Sequence, residues 1–422
     1  MNVLVVGGGG REHAIVRKLA ESPCIDALYC APGNGGIAVV AKCVPIRATD
    51  VRTLADWAAE NRMDYDDVAP DDPHVLGLVD LLAERGIPAF GPSKAAARIE
   101  GSKVFAKALM RDHGIPTARY QAFDDADEAL AYVRSQPCPL VVKADGLALG
   151  KGVLICQTTT EAEQAVREMM LGGRFGASGA RVVIEEFLTG PEVSVLCFTD
   201  GTTVKPMVSS MDHKRALDGD EGLNTGGMGV IAPNPAYTSA IAEACMRAIF
   251  LPTLAAMRDE GCPFKGCLYF GLMLTPDGPR VIEYNCRFGD PEAQAVLPLM
   301  QSDLLGAMLA TTNGTLADTD VRFAPGASCC VVLASGGYPV QYETGKPIEG
   351  IGASERTARV YHAGTKRDGD RLLTAGGRVL GVTATADTLE AAIDKAYRAA
   401  EQIRFEGAHM RRDIGQKALQ AK

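Results

Sequence analysis

The chain has 422 residues, enough for about three domains at roughly 150 residues each. Hydrophobic residues make up 47% and charged residues 23%, and 46 Gly against 23 Pro show no low-complexity bias, which excludes disorder as the main state. Forty-three Lys+Arg against 52 Asp+Glu leave a net charge of -9, which does not attract polyanions, so no nucleic-acid partner and no membrane surface are expected.

No run is expected to approach the roughly 18 apolar residues that a bilayer crossing needs. The start, Met1-Asn-Val-Leu-Val-Val6, leads straight into a strand without a cationic leader, and a cytoplasmic protein is expected. The first hundred residues alternate apolar runs (3–6, 27–30, 87–90) with helical patterns (11–21, 51–61, 75–85), the signature of a parallel sheet with crossover helices. The third strand of this set falls on Met63-Asp-Tyr-Asp-Asp-Val-Ala69, where three aspartates interrupt the apolar run normal for such a strand.

From Ser102 the pattern changes to a helix over 103–113, stopped by Gly114 and Pro116, and then to strands separated by Gly-rich turns. Thr160-Glu-Ala-Glu163 reads as a capping box opening a helix between strands 153–156 and 181–186, within a compact subdomain of about 117–190. A long helix follows over 239–260, bent or interrupted by Pro252, and strands 266–274 and 280–285 make a hairpin around Pro276-Asp-Gly278. The last hundred residues carry strands at 327–334, 357–362 and 378–385. Asp387-Thr-Leu-Glu390 then caps a helix with Leu389, Ile393, Ala396, Ala400 and Ile403 on one stripe. The expected fold class is α/β and α+β multidomain: an N-terminal parallel α/β unit (1–101), a central unit (102–325) and a C-terminal α+β unit (326–422). Twelve scattered cysteines without a CxxC pair read as reduced core thiols, and nothing beside Cys262 and Cys267 completes a zinc shell.

Four segments carry chemistry. Gly7-Gly-Gly-Gly10-Arg11-Glu12-His13 places bare N–H groups between a strand and a helix, where a phosphate fits. A dinucleotide fingerprint fails there, because the third glycine position is Glu12 and the second strand ends without an acid. Lys143-Ala-Asp-Gly146-Leu-Ala-Leu-Gly150-Lys151-Gly152 links two strands with a lysine at each end. It can neutralise a triphosphate or be a solvated hairpin, and it is not a Walker loop. Glu283 and Asn285, two apart on a strand, present hard oxygens to one face, as Mg²⁺ requires, and Arg287 beyond them suits a carboxylate or phosphate; a surface ion-pair cluster is the alternative. Asp212-His-Lys-Arg215 and Asn224-Thr-Gly-Gly-Met-Gly229 frame a polar loop that can cradle a small molecule or carry no chemistry.

In this order, these segments resemble the ATP-grasp superfamily and, within it, the glycinamide ribonucleotide synthetase family. Ala31-Pro-Gly-Asn34, Gly101-Ser-Lys103, Glu185-Glu-Phe-Leu188, Asn285-Cys-Arg-Phe-Gly-Asp-Pro-Glu292, Gly336-Gly-Tyr-Pro339 and His362-Ala-Gly-Thr365 extend the match nearly end to end. The resemblance implies a pre-ATP-grasp domain at the N-terminus, an ATP-grasp domain with a mobile lid, and a C-terminal α+β domain. It implies ATP held by Lys103, Lys143, Gly150, Lys151, Gly152, Glu185, Glu186, Phe187, Leu188 and Glu192, with Glu283 and Asn285 on Mg²⁺ or Mn²⁺. Glycine and 5-phosphoribosylamine are the implied substrates, placed by Gly9, Gly10, Arg11, Glu12, Gly33, Asn34, Asp71, Asp212, Asn224, Thr225, Gly226, Gly227, Arg287 and Asp290. Arg287, Lys143, Asp212 and Lys214 are the implied catalytic side chains. The expected reaction is ligation of glycine to the amine through a glycyl phosphate in purine (IMP) biosynthesis, by a monomer or weak homodimer. Another ATP-grasp carboxylate–amine ligase, or a nucleotide-binding sensor without catalysis, is the competing reading.

Two departures stand out. Where the family has an apolar run ending in Gly-Pro-Glu, this chain has Asp66-Asp-Val-Ala69-Pro-Asp71, so a shorter acid serves at position 71. Many ATP-grasp enzymes also supply a metal carboxylate from the preceding strand, whereas Cys267-Leu-Tyr-Phe270 offers none; phosphates and water, or another acid such as Asp290, would fill that place.

Overall fold

The computed structural model describes residues 1–147, 152–173 and 176–420; Gly150 and Lys151 lie outside the described residues. In the N-terminal unit five parallel strands stand in the order Lys42–Cys43, Ala27–Pro32, Asn2–Gly7, Tyr65–Val68, Ala89–Phe90. Asn2–Gly7 is central and covered on both faces, which is why its sequence is a continuous apolar run. The acidic segment does form the expected strand, with Val3 beside Tyr65 and Val6 beside Val68. Asp66 and Asp67 are consequently buried on opposite faces of the sheet, and none of their four carboxylate oxygens has a hydrogen-bond partner. Burial drives both carboxyls up, helped by Glu12 for Asp67, which reaches about 8, and by Asp67 for Asp66. Protonated acids are far less costly inside a sheet than carboxylates, and this lets the strand tolerate its sequence. The helix expected over 75–85 is two short ones, Asp71–Leu76 and Leu78–Glu84, meeting at Gly77.

The subdomain is a four-stranded antiparallel sheet, in the order Tyr120–Phe123, Val182–Glu186, Leu140–Ala144, Val153–Cys156, backed by helices Ala126–Ser135 and Thr159–Met170. Its N-cap sits two residues earlier than expected: Thr158 accepts from the Glu161 N–H at 3.2 Å, and Glu161 reaches back past the cap to accept from the Gln157 N–H at 2.7 Å. A second antiparallel sheet runs Val204–Pro206, Glu192–Asp200, Lys265–Thr275, Gly278–Asn285. The helix beneath it continues from Ser239 to Asp259 straight through Pro252. A π turn at Met246–Phe250 absorbs the hydrogen bond that proline cannot make. By length and composition this helix could cross a membrane, with a mean hydropathy of 1.5 over 18 residues, so the expectation that no stretch qualifies is corrected. Its Cys245, Ile249, Phe250, Leu254 and Met257 belong to the core that also contains Phe270 and Tyr284 of the sheet.

The third large sheet runs Met211–Asp212, Gly229–Ala232, Ala327–Ala334, Arg378–Ala386, Arg359–His362. Residues 212–229, expected as a loop, therefore supply two strands to the C-terminal sheet and between them a hairpin, Arg215–Leu217 with Glu221–Asn224. Helix Leu389–Ala400 covers this sheet, capped by Thr388, which accepts from the Ala391 N–H, instead of by Asp387. All twelve cysteines are free, nine of them buried.

Candidate active site

The N-terminal glycine loop lies against the carboxyl ends of the parallel strands. The Gly9 N–H donates to Glu12 at 2.6 Å, while Arg11 donates from Nε to Glu12 at 2.7 Å and from Nη1 to the Phe288 carbonyl at 3.1 Å. Asn34 Nδ2 donates to the Gly8 and His362 carbonyls, at 2.9 and 2.8 Å, and its Oδ1 accepts from the Gly36 and Ile37 N–H groups. Gly33 and Asn34 are thus held against Gly8–Gly10, and a Cβ on Gly8 would lie 2.5 Å from the Gly33 carbonyl oxygen, so only glycine allows this approach. Asp290 reaches the same loop by accepting from the Arg11 N–H at 3.3 Å. Gln294 and Arg378 take its other oxygen, at 2.8 and 3.4 Å.

Asp71 starts a short helix facing the same edge. Burial works against its charge, but Arg287 and Arg11 outweigh that and hold its carboxyl below the ordinary value. Arg287 forms an ion pair with Glu100 at 3.1 Å and donates to Asn285 Oδ1 at 3.1 Å, leaving its buried Nε without a partner.

Glu283 is the meeting point of the cations. Enclosure pushes its carboxyl up, but Lys214, Lys143, Lys103 and Arg287 together hold it below the ordinary value. Lys214 lies 2.9 Å from Asp212 and 4.0 Å from Glu283; enclosure opposes its charge, and Asp212, Tyr269, Glu283 and Glu192 outweigh it. Lys143 donates to the Ile282 carbonyl at 3.1 Å and pairs with Glu185 at 2.9 Å, and Lys107 holds the other oxygen of Glu185 at 3.0 Å. Burial brings Lys107 down to about 8 despite Glu185. Lys103 starts the helix Lys103–Asp112 and donates to the Gly146 carbonyl at 3.0 Å, while Asp145 accepts from Ser102 and from the Val104 N–H, docking the Lys143–Gly146 segment onto that helix.

Glu283 and Asn285 share one face of a strand and offer hard oxygens that suit Mg²⁺. Among the described residues no group of three or more His, Cys, Asp or Glu side chains could hold a metal alone, so an ion here would complete its shell with phosphates and water. The strand position opposite Glu283 is Gly271, where a Cβ would lie 3.0 Å from Glu283 Cγ, so a further carboxylate has no room there. Asp290, suggested above as a substitute, points instead to Arg11 and Arg378.

At the subdomain side, the Glu186 N–H donates to the Arg119 carbonyl at 3.0 Å, and its carboxylate pairs with Arg119 at 2.7 Å. Glu192 is exposed, and Phe187 and Leu188 are half-buried just before it. Across the cleft, Thr225 donates from both its N–H and hydroxyl to the Lys214 carbonyl at 2.8 Å, just after Asn224. The Gly226 N–H donates to the Tyr338 hydroxyl at 3.3 Å, and Arg378 donates to the Gly226, Gly227 and Asp290 carbonyls at 2.9, 3.3 and 2.7 Å.

Four residues were not singled out by sequence: Glu100, Lys107, Glu292 and Arg378. Lys107 lies one turn after Lys103 on the same helix face, a signal that could have found it. Glu292 was quoted within a motif but given no role. It is buried, its Oε1 accepts from the Tyr269 hydroxyl at 3.1 Å, and burial with Asp212 nearby raises its carboxyl to about 7.

A parallel α/β unit, a small antiparallel sheet and a larger one converging on lysines and a charged glutamate define an ATP-grasp ligase. Models of the phosphoribosylglycinamide synthetase N domain, ATP-grasp (A) domain and C domain match residues 1–100, 101–293 and 328–417. The phosphoribosylamine–glycine ligase of Vibrio vulnificus (strain YJ016) is 47% identical over 423 residues, covering 99% of each chain. That of Allochromatium vinosum is 49% identical over 427 residues, again 99% of each. The crystal structure of the phosphoribosylamine–glycine ligase of Thermotoga maritima has a TM-score of 0.86 at 34% identity, covering 98% of this chain and 100% of its own. The biotin carboxylase domain of Hydrogenobacter thermophilus 2-oxoglutarate carboxylase, solved with MgADP, ADP and bicarbonate, has a TM-score of 0.74 at 18% identity over 97% of this chain and 91% of its own, and shares the fold. The chain belongs to the phosphoribosylglycinamide synthetase family. It is a ligase that binds ATP.

Proposed function

We propose that this chain ligates glycine to 5-phosphoribosylamine, forming glycinamide ribonucleotide, ADP and phosphate through a glycyl phosphate in purine (IMP) biosynthesis. The observation that carries the reading is the ionised Glu283 enclosed by Lys103, Lys143, Lys214 and Arg287. A carboxylate is a poor nucleophile toward a polyanion, so transfer of the γ-phosphoryl group to glycine depends on positive charge that offsets repulsion and keeps the oxygens in line. Lys103 and Lys143 supply this charge to the phosphates. Glu283 and Asn285 would hold Mg²⁺ or Mn²⁺, which when bound neutralises charge on the transferring group. Glu185, Glu186, Phe187 and Leu188 line the adenine, with Glu186 and Leu188 offering it backbone groups. Glu192 takes the ribose, and Gly150, Lys151 and Gly152 cover the phosphates.

Arg287, placed by Glu100, orients the glycine carboxylate, and Lys214 with Asp212 flanks the acyl phosphate. The amine substrate lies at the N-terminal edge. Its phosphate is taken by Gly9, Gly10 and Arg11 with Gly33 and Asn34, its amine faces Asp71 and Asp290, and Asn224–Gly227 closes over it. Glu12 fixes this loop through Gly9 and Arg11. The subdomain at about 117–190 acts as a lid that keeps water from the acyl phosphate. The reading is completed by a monomer or weak homodimer in the cytoplasm, a compartment that twelve free thiols suit.

The test is ADP release with Mg·ATP, glycine and freshly generated 5-phosphoribosylamine, omitting each in turn. All three should be required, with the glycinamide ribonucleotide mass appearing, and Glu283→Ala should lower turnover at least about 100-fold while the chain stays folded. Full turnover by that variant at saturating Mg²⁺ removes the metal assignment, and ADP release independent of glycine removes the ligase reading.

A further inference from the structure

Amide formation strips a proton from the attacking amine, and a proton acceptor must stand near it. The carboxylates around the cleft are mostly taken by cations: Glu12 by Arg11 at 2.7 Å, Glu100 by Arg287 at 3.1 Å, Asp212 by Lys214 at 2.9 Å, Glu283 by Lys214 at 4.0 Å and Asp290 by Arg378 at 3.4 Å. A carboxylate paired with a cation is a weakened base. Asp71, although without an ion pair that close, is held charged by Arg287 and Arg11, and Glu192, exposed at the start of its strand, faces Lys214, Asp212 and Glu283 and is assigned above to the ribose.

Glu292 differs. It is 4% exposed, and its partner is a neutral hydroxyl: Tyr269 donates to its Oε1 at 3.1 Å and exchanges a second hydrogen bond with Ser194 Oγ at 2.7 Å. Its carboxylate folds back over Gly289, where an added Cβ would lie 2.3 Å from Oε2, and the group lies two residues past Asp290. Asp212, Lys214 and Arg287 are the charged groups facing it. It therefore feels the charges of Lys214 and Arg287, the groups assigned above to glycine and its acyl phosphate, and its chain neighbour Asp290 touches the N-terminal loop.

We propose that Glu292 is the general base of the amide-forming step, a role that rests on the ligase reading above. The amine nitrogen bonds to the acyl carbon, and the carbon–oxygen bond to phosphate breaks with its electron pair leaving on phosphate. The nitrogen's proton passes to the Glu292 carboxylate, which returns it to the departing phosphate or to water. The Tyr269 hydroxyl holds the carboxylate in place and, unlike a cation, leaves it basic. A carboxyl raised to about 7 by burial and Asp212 is matched to this task near neutral pH.

The test splits the reaction with hydroxylamine, a nucleophile already unprotonated at neutral pH that captures glycyl phosphate as glycine hydroxamate. Glu292→Gln should keep Mg·ATP- and glycine-dependent hydroxamate formation within about threefold of the unmodified chain and lose at least about 100-fold in kcat with 5-phosphoribosylamine. Glu292→Asp should restore part of that loss, and the acidic limb of the kcat–pH profile should vanish in the Gln variant. Unchanged kcat with 5-phosphoribosylamine overturns the proposal, and so does equal loss of both reactions. If the unmodified chain forms neither hydroxamate nor glycinamide ribonucleotide, the ligase reading itself fails, a result distinct from either.

Discussion

Replacing Asp67 by Asn should make this protein more stable, by an amount that depends on pH. The side chain is fully buried with no hydrogen-bond partner, and its carboxyl releases its proton at about 8 in the folded chain against 3.8 ordinarily. A carboxyl raised on folding contributes its full stability below the unfolded value and loses it as pH rises toward the folded value. Between pH 4 and 8 the unfolded chain is ionised there while the folded chain is not. Each unit is worth about 1.4 kcal/mol, so the penalty reaches about 4 kcal/mol at pH 7 and levels off above pH 8. Asn cannot ionise, so the variant should match the parent near pH 4 and exceed it by about 4 kcal/mol at pH 7, less whatever its unpaired amide costs. Trp57, the one tryptophan in the chain, lies in this unit, so urea titrations followed by its fluorescence report on the sheet concerned. A stability difference that stays flat from pH 4 to 8, or a variant weaker than the parent at pH 8, refutes the account of a buried neutral acid.

Two further perturbations probe the scaffold of the site. Glu100→Ala leaves the buried Arg287 without its counter-ion and the Cys286 N–H without its acceptor, and should cost about 3–5 kcal/mol in urea unfolding; an unchanged midpoint argues against the pair as a structural element. Gly8→Ala drives a methyl into the Gly33 carbonyl and should raise KM for 5-phosphoribosylamine at least about tenfold while KM for ATP stays put; equal changes in both would show a general loss of fold.

Much of the fold was legible because its signals are local. Alternating apolar runs and helical stripes located the parallel sheet, and Pro276-Asp-Gly278 located the hairpin. The errors were also local in kind. Thr158 and Thr160 are equally good caps by type, and only the course of the preceding strand decides between them. Residues 212–229 looked like a loop because their own pairings are strands of only two to four residues, and the strand that anchors them, Gly229–Ala232, pairs with Ala327–Ala334 about a hundred residues away. Glu100 reads as one more charge on a helix until Arg287 is folded onto it. Glu292 was visible inside its motif, but its role depends on the Tyr269 hydroxyl and on the cations that occupy the other acids, neither of which spacing reveals.

A chain of net charge -9 gathers Arg11, Lys103, Lys143, Lys214 and Arg287 around one cleft, and Lys143, Lys214 and Arg287 rest against carboxylates contributed by other elements, Glu185, Glu283 and Glu100. This arrangement holds the cations in place and opposes the loss of their protons in an enclosed site, where burial pulls an ammonium down, as it does for Lys103 and, even with Glu185 beside it, for Lys107. It also sets the condition for catalysis. An incoming triphosphate competes with those carboxylates for the same cations, so the charge that assists phosphoryl transfer is borrowed from ion pairs already formed rather than assembled afresh. Neutralising one resting partner, as in Glu185→Gln, should therefore tighten ATP binding if Lys143 stays ordered and weaken it if the pair is what orders Lys143, and comparing Kd with turnover separates the two.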